Sequence, residues 1–591
     1  MVAPNRNSLW GRVIADELAK AGVTAAVIAP GSRSTPLTLA VADHAELETF
    51  SVLDERSAAF FALGRARRTG EPTAVICTSG TAAANFHPAV IEANQSRVPL
   101  LLLTADRPPE LADSGANQTV DQEDLYGDAL RWGRTLPEPE PTARKLRSLR
   151  TSVDRAVGAT TGTPAGPVHL NVPFRKPLEP VEVEGDVPAD LAERAPLAVE
   201  GRDGPFVERT EGRPQLSVPE IERVADAVAG ADRGLLVAGP ADVPGLDAAA
   251  VADLAAATGF PILADPLSGL RFGEHVARSA VTVCGGYDSY LDGAGAWPDP
   301  EVVIRLGASP TSKVLRHYLR DRADRQFVVD PAGQWREAEF TATDLLVADP
   351  SRLAGAVADL IEEDGENGDG DDYRERFAAA ERDYWELVDD ARDDETFEGQ
   401  VLATVAESAP DPATVFVSNS MPVRDLDRFG RPRAADLRVL GNRGASGIDG
   451  VTSTALGAGS TTDDPLVLVT GDLAYFHDSN GLLSVGRCGV DATIVLVNND
   501  GGGIFHLLPI EEFDPPFTEQ FVTPHGLDFE PTTELYGLEF QRVPPEEFAE
   551  TFGASRDRDG AQVIEVVFDS EASHRTREAI HERVDGTIHG E

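Results

Sequence analysis

The chain is expected to be an α/β protein built from three parallel-sheet domains. Short β-branched and Leu-rich runs alternate with helical stretches along its length, and two acidic passages interrupt that alternation. Size agrees, since 591 residues exceed what one hydrophobic core organises. The boundaries read as a first domain over 1–180, a central domain over 215–358 and a last domain over 395–591, with linkers at 181–214 and 359–394.

The first domain opens with Asn7–Lys20, where Leu9, Trp10, Val13, Ile14 and Leu18 recur on one helical face. Asp16 and Glu17 break any continuous apolar run, so the segment reads as an amphipathic helix and not as a secretory signal. Strands are expected at Ala25–Ala29, Leu47–Leu53, Thr73–Cys77 and Leu100–Thr104, with an Ala- and Phe-rich helix over Ser57–Arg68. From about Pro177 to Pro214 the chain is acidic and Pro-rich, the signature of a linker. Strands resume at Leu235–Ala238, Pro261–Ala264, Val302–Leu306 and Phe327–Val329. The run Glu362–Asp372, nearly all Asp, Glu and Gly, then reads as a solvated, mobile connector. The last domain has strands at Thr414–Val417, Leu466–Val469, Ile494–Val497 and Val563–Phe568.

Net charge is −47, and only four of the 52 basic residues are lysines: Lys20, Lys145, Lys176 and Lys313. An acidic surface spread through every region, with arginine replacing lysine, predicts a halophilic protein kept soluble by hydrated carboxylates in strong salt. With no basic stripe to neutralise phosphates, nucleic acid is not an expected partner. No apolar run is long enough to cross a bilayer, so no membrane association is expected. Cys77, Cys284 and Cys488 are widely separated, which fits a reducing, cytoplasmic compartment and neither a disulfide framework nor a thiolate zinc site.

Neither a dinucleotide fingerprint nor a P-loop is present; Gly444–Gly450 has the wrong spacing and follows no clear strand. The informative motifs are polar strand ends. Leu466–Thr470 runs into Gly471-Asp472, and Ala492–Val497 runs into Asn498-Asn499-Asp500-Gly501-Gly502. Open α/β sheets bind ligands at such carboxyl ends. The Asp472 carboxylate, the Asn499 amide oxygen and the Gly501 carbonyl are hard donors suited to a Mg²⁺ that also holds a diphosphate. The same residues fit plain turn chemistry, because Asx side chains cap turns. Glu55, in Asp54-Glu55-Arg56, likewise reads two ways: a charge satisfying a helix dipole, or the glutamate that hydrogen-bonds the aminopyrimidine of thiamine diphosphate.

Seven segments together resolve a resemblance: Pro30-Gly-Ser-Arg-Ser-Thr-Pro-Leu37, Asp54-Glu-Arg56, Thr78-Ser-Gly-Thr81, Thr104-Ala-Asp-Arg-Pro-Pro-Glu110, Gly115-Ala-Asn-Gln118, Asn442–Gly450 and Asn498–Gly502. The chain resembles the 2-succinyl-5-enolpyruvyl-6-hydroxy-3-cyclohexene-1-carboxylate synthase (MenD) family, strongly in the first and last domains and weakly in the central one. The resemblance implies a thiamine diphosphate-binding fold, with a pyrimidine-binding first domain and a diphosphate-binding last domain. It implies decarboxylation of 2-oxoglutarate on thiamine diphosphate and addition of the succinyl unit to isochorismate, in menaquinone biosynthesis. The expected cofactors are thiamine diphosphate and Mg²⁺ or Mn²⁺, the latter held by Asp472, Asn499 and Gly501. The expected assembly is a homodimer or homotetramer in which one subunit supplies Glu55 and its neighbour Asp472.

Both substrates carry two carboxylates, and arginine forks bind carboxylates bidentately while staying protonated. The resemblance accordingly gives Arg33, Arg107, Arg424 and Arg443 to substrate, with Gln118 and Lys313; Val314 replaces an arginine of the relatives. It places Ser420, Met421, Gly444, Ala445, Ser446, Ile448, Gly471, Leu473, Gly502, Ile504 and Phe505 around the cofactor. In that scheme Ile448 is the wedge beneath the thiazolium, while Ile504, Phe505 and Leu508 wall off water. His87, His477 and His506 are expected to be structural or solvent-facing. An acetolactate synthase-type carboligase is the alternative, and the arginine set speaks against its small monocarboxylate substrate. A non-catalytic protein of the same fold would be expected to have lost Glu55 or Asp472, and both are present.

Overall fold

A computed structural model describes residues 3–243, 245–364, 371–555, 558 and 560–589. It contains three six-stranded, all-parallel sheets, and the chain divides into two compact units.

The first unit comprises the N-terminal region to Glu211 with Asn442–Asp463 and His477–Val490. Its strands are β1 (Ala25–Ile28), β2 (Glu48–Ser51), β3 (Thr73–Cys77), β4 (Leu100–Asp106), β5 (Trp132–Thr135) and β6 (Val168–Pro173). They lie in the order β2-β1-β3-β4-β6-β5, with Val27 opposite Val75 and Val75 opposite Leu102. Every residue of β1, β3 and β6 is buried, because helices cover both faces, and edge strands β2 and β5 are the polar ones. The Arg6–Lys20 helix is capped by Asn5, whose side chain accepts from Ser8 N at 2.9 Å, and it buries Leu9, Trp10, Val13, Ile14 and Leu18. Each such burial contributes about 1.5–3 kcal/mol.

The helix Glu55–Thr69 packs against the helix Val451–Gly459 through glycine. A Cβ on Gly64 would meet Thr454 O at 1.9 Å, and one on Gly457 would meet Phe61 O at 2.0 Å. Main chain therefore rests on main chain. This contact draws Asn442–Asp463, read from sequence as part of the last domain, into the unit of the first sheet.

The second unit holds the other two sheets. The central sheet is β7 (Gly234–Ala238), β8 (Ile262–Ala264), β9 (Val283–Cys284), β10 (Val302–Leu306), β11 (Arg325–Val329) and β12 (Asp344–Leu346), ordered β12-β11-β10-β7-β8-β9. The C-terminal sheet is β13 (Ala413–Val417), β14 (Leu437–Leu440), β15 (Leu466–Gly471), β16 (Thr493–Asn498), β17 (Glu539–Val543) and β18 (Gln562–Val567), ordered β14-β13-β15-β16-β18-β17. After β13 the chain goes to one side for β14 and returns on the other for β15. That reversal opens a crevice at the strands' carboxyl ends. Register places Gly471 opposite Val497, so Asp472 emerges beside Asn498 and Asn499.

Two linker expectations need correction. Of 359–394, residues Asp371–Asp394 form a helix, because Tyr373, Phe377, Ala380 and Tyr384 recur at helical spacing and bury against Tyr287 and Tyr290. Residues 365–370 of the acidic run lie outside the described residues. Within 181–214, the short helices Leu191–Arg194 and Pro196–Val199 bury Leu191 and Ala198 in the first core, and Phe206 N donates to Glu17 at 2.6 Å. That segment is docked on its domain. Among the described residues no helix is long and apolar enough to cross a membrane.

Candidate functional site

The site residues fall into two half-sites, one in each unit. In the first, Asp54 caps the Glu55–Thr69 helix, its carboxylate accepting from Arg56 N at 2.9 Å and Ser57 N at 3.3 Å. Asn480 Nδ2 steadies Asp54 at 3.1 Å. Beneath, buried Asp478 accepts from Ser453 N at 2.7 Å and Ser57 Oγ at 3.3 Å, with Arg56 at 4.0 Å. Burial pushes the Asp478 carboxyl up to about 6 against these hydrogen bonds. Arg56 Nη2 donates to the His477 carbonyl at 2.7 Å. The helix tip is thus fixed, and Glu55 stands on it half-buried, with no hydrogen bond or ion pair to any described residue.

In the same unit, Arg33 follows β1 and Arg107 follows β4. The Arg33 backbone N–H donates to Thr78 Oγ1 at 3.2 Å, and its guanidinium donates to the Phe174 carbonyl at 2.7 Å. Burial lowers the Arg33 pKa, the Arg107 charge lowers it further, and Asp106 opposes both. The two arginines therefore share one field, and Arg107 Nε is buried without a hydrogen-bond partner. Gln118 adopts φ +56°, donating from Nε2 to Ser79 O at 3.0 Å while its own carbonyl accepts from Ser79 Oγ at 3.1 Å. Gly444 N and Ala445 N donate to Glu92 at 2.9 and 2.6 Å, and Glu92 is held by Arg67 at 2.8 Å. This pins the loop that carries Arg443, Ser446 (φ +60°) and half-buried Ile448.

The second half-site lies at the carboxyl ends of β13, β15 and β16. Asp472 is 2% exposed. Its Oδ1 accepts from Leu473 N at 2.6 Å, and its Oδ2 accepts from Gly501 N at 2.9 Å, Asn499 N at 3.2 Å and His525 Nε2 at 3.2 Å. Burial raises its pKa; these donors act in the opposite direction. The His525 ring lies between two carboxylates, Nε2 3.2 Å from Asp472 Oδ2 and Nδ1 3.3 Å from Asp500 Oδ1, with Leu527 N 3.0 Å from Nδ1. Asn499 Nδ2 donates to Glu398 at 2.8 Å, while Asn499 Oδ1 is buried without a partner among the described residues. Gly501 has φ +147°, and a Cβ there would strike Val522 O at 2.1 Å. Its carbonyl accepts from Gly503 N at 3.1 Å and keeps a second lone pair.

A divalent cation fits these donors. An orphaned buried amide oxygen costs about 1–3 kcal/mol, and a cation between it and the Asp472 carboxylate would be its partner. Among the described residues no cluster of three or more His, Cys, Asp or Glu could hold a metal. One carboxylate, one amide and one peptide carbonyl is a different donor set.

Ser420 leaves β13 at φ +69°, ψ −128°, a strain of about 1–3 kcal/mol for a residue with a Cβ. Arg424 Nη1 donates to the Ser420 carbonyl at 2.7 Å, and Met421 is buried. Ile504 and Phe505 are half-buried on the turn Gly503–Leu507, with Phe505 edge-on to Phe521 at 5.5 Å, and Gly502 N donates to Val522 O at 2.8 Å. Leu508, expected beside them, is 47% exposed in the single chain and walls nothing there. Lys313 is exposed at the N-terminus of the helix Lys313–Arg322, where a cation opposes the helix dipole, so helix stability does not explain it. Ser312 bonds Asp288 at 2.5 Å, and Asp288 pairs with Arg428 at 2.6 Å on the helix that carries Arg424.

His506 is structural, held between Glu511 at 2.9 Å and Ser570 at 3.2 Å. His87 packs edge-on to Tyr126, and the His477 ring lies 3.3 Å from Arg56. The sequence reading missed His525, Glu398 and Asp478. None sits in a motif, and each acts across a long sequence separation.

Comparison with known proteins bears on the whole chain. Residues 10–125 match the thiamine pyrophosphate enzyme N-terminal TPP binding domain, and 429–566 match the C-terminal TPP binding domain. A 2-succinyl-5-enolpyruvyl-6-hydroxy-3-cyclohexene-1-carboxylate synthase of Haloarcula marismortui is 62% identical over 100% of both chains. The synthase of Halobacterium salinarum is 62% identical over 99% of this chain and 100% of its own. That of Roseiflexus castenholzii is 46% identical over 98% of each. A thiamine diphosphate-dependent 4-hydroxybenzoylformate decarboxylase from Rhodococcus jostii shares the fold, with TM-score 0.69 and 17% identity over 95% of this chain and 99% of its own.

Proposed function

The chain belongs to the 2-succinyl-5-enolpyruvyl-6-hydroxy-3-cyclohexene-1-carboxylate synthase family of thiamine pyrophosphate enzymes, and from that premise we propose how its residues divide the work. The protein is a thiamine diphosphate-dependent decarboxylating carboligase that joins the succinyl part of 2-oxoglutarate to isochorismate in menaquinone biosynthesis. The alternative acetolactate synthase-type reading is not needed. The observation that carries the assignment is full-length identity of 62% to the halophilic synthases, joined to an Asp472–Asn499 donor pair whose amide oxygen lacks a partner.

Bound thiamine diphosphate supplies the nucleophilic carbon that an oxoacid decarboxylation needs. Asp472, Asn499 Oδ1 and the Gly501 carbonyl would hold Mg²⁺ or Mn²⁺, and with it the diphosphate. In the second unit Gly471, Leu473 and Gly502, with Ser420 and Met421, would present main chain to the cofactor; in the first, Gly444, Ala445 and Ser446 would do so and Ile448 would give the ring an apolar rest. The Glu55 carboxyl, without a hydrogen-bond partner among the described residues, would be free to share a proton with the pyrimidine ring. Arg33 and Arg107, two cations held in one field, gain from a substrate carboxylate that relieves their repulsion. Arg424, Arg443, Lys313 and Gln118 complete the recognition of the two dicarboxylates, and Ile504 and Phe505 exclude water. The assembly is a homodimer or a dimer of dimers, in the cytoplasm.

The test is incubation in strong KCl with metal, thiamine diphosphate, 2-oxoglutarate and isochorismate. Loss of isochorismate absorbance should require every component. Pyruvate consumption in place of 2-oxoglutarate would overturn the reading.

A further inference from the structure

Beneath the proposed cation site lies a buried group of charges that the reaction itself does not use. Glu398 precedes the helix Gly399–Ser408, Asp425 lies on the helix Met421–Phe429, and Arg577 on the C-terminal helix Ser570–Ile588. They are 1%, 1% and 4% exposed. Arg577 bridges the other two, reaching Glu398 Oε2 at 2.5 Å and both oxygens of Asp425 at 2.6 and 2.8 Å. The Glu398 backbone N–H donates to Ser573 Oγ at 3.3 Å, so the residue is anchored at its main chain as well as at its carboxylate. Its remaining oxygen accepts from Asn499 Nδ2 at 2.8 Å.

A side-chain amide has two faces that are nearly equal in shape and opposite in function. Glu398 Oε1 accepts from the amide, so the NH₂ end of Asn499 faces it. The oxygen must then point away, and it is this Oδ1 that is buried without a partner.

We infer that Glu398, clamped by Arg577, is a positioning residue for the divalent cation, locking the Asn499 amide with its oxygen toward the metal. This rests on the reading of Asp472, Asn499 and Gly501 as the metal ligands. Outer partners that orient a ligand typically set 10–100-fold in metal affinity. The site also ties the metal amide to the helix bearing Arg424, since Arg577 grips Asp425 one residue further on.

Mn²⁺ titration of the cofactor-saturated protein in strong KCl, followed by electron paramagnetic resonance, tests this directly. Glu398→Ala should weaken Mn²⁺ about 10–100-fold. Glu398→Gln, which keeps an acceptor for Asn499 but loses the charge, should fall between it and the unaltered protein. Unchanged Mn²⁺ affinity in Glu398→Ala would overturn the inference. So would equal weakening in both variants that merely tracks a lowered melting temperature measured without metal. If Glu398→Ala does not fold, Glu398→Gln decides alone, unchanged affinity again being fatal. Failure of the unaltered protein to bind Mn²⁺, or full binding by Asp472→Asn, would instead remove the metal-site reading and this inference with it.

Discussion

Ser57 Oγ donates to the buried Asp478 carboxylate at 3.3 Å, two residues beyond the glutamate on which the proposed chemistry depends. Because burial holds Asp478 up to about 6 against an ordinary 3.8, the folded state binds this proton more tightly than the unfolded chain does. Stability from this group is therefore greatest below pH 3.8 and falls as pH rises to about 6, by on the order of 3 kcal/mol in total. Asp478→Asn should abolish that component. The expected result is a difference in unfolding free energy, variant minus wild type, that moves in favour of the variant between about pH 4 and pH 6 and is flat above. A difference that is level throughout would refute the assigned protonation.

Glu55→Gln should keep cofactor and metal affinity within a few-fold while turnover drops by about 10²–10⁴. Cofactor-induced quenching of tryptophan fluorescence reads the first, and isochorismate consumption the second. Retention of most of the turnover would sink the proton-sharing role.

Arg33→Ala and Arg107→Ala should each lower kcat/KM for a dicarboxylate substrate by roughly 10–150-fold, the worth of a charge-assisted hydrogen bond. Lysine at either position should recover only part, since it cannot form a fork. Because the Arg107 charge lowers the Arg33 pKa, removing Arg107 should raise it. Steady-state kinetics with 2-oxoglutarate and isochorismate varied in turn would show which substrate each arginine holds.

With a net charge of −47, the protein should melt at progressively higher temperature as KCl rises past about 1 M, where the Debye length is about 3 Å. Calorimetry across a KCl series checks this. A melting temperature indifferent to salt would contradict the halophilic reading of the lysine-poor surface.

The two strands read to the residue from sequence, Thr73–Cys77 and Val302–Leu306, are short, wholly buried and bounded by breakers. β6 went unread because His169 and Asn171 interrupt its apolar run; both are buried and satisfied, His169 by Thr104 at 2.6 Å and Asn171 by Gln122 at 2.9 Å. The edge strands β5 and β17 went unread because exposed edges carry little apolar pattern. The same division holds at the site. Asp472 and Asn499 were legible because strand ends announce themselves locally. Glu398 lies 101 residues from the amide it orients and His525 lies 53 from the carboxylate it meets, and no short-range pattern encodes either pairing.

Where Gly64 and Gly457 let two backbones touch, there is no side chain to flex and so no slack in the joint. A slip of one residue would thrust Leu63 or Arg65, or Leu456 or Ala458, into a gap that does not admit a methyl group. The helix that begins at Glu55 consequently has a single seat on its neighbour. The carboxylate at its tip inherits its height from two absent side chains nine residues and more away.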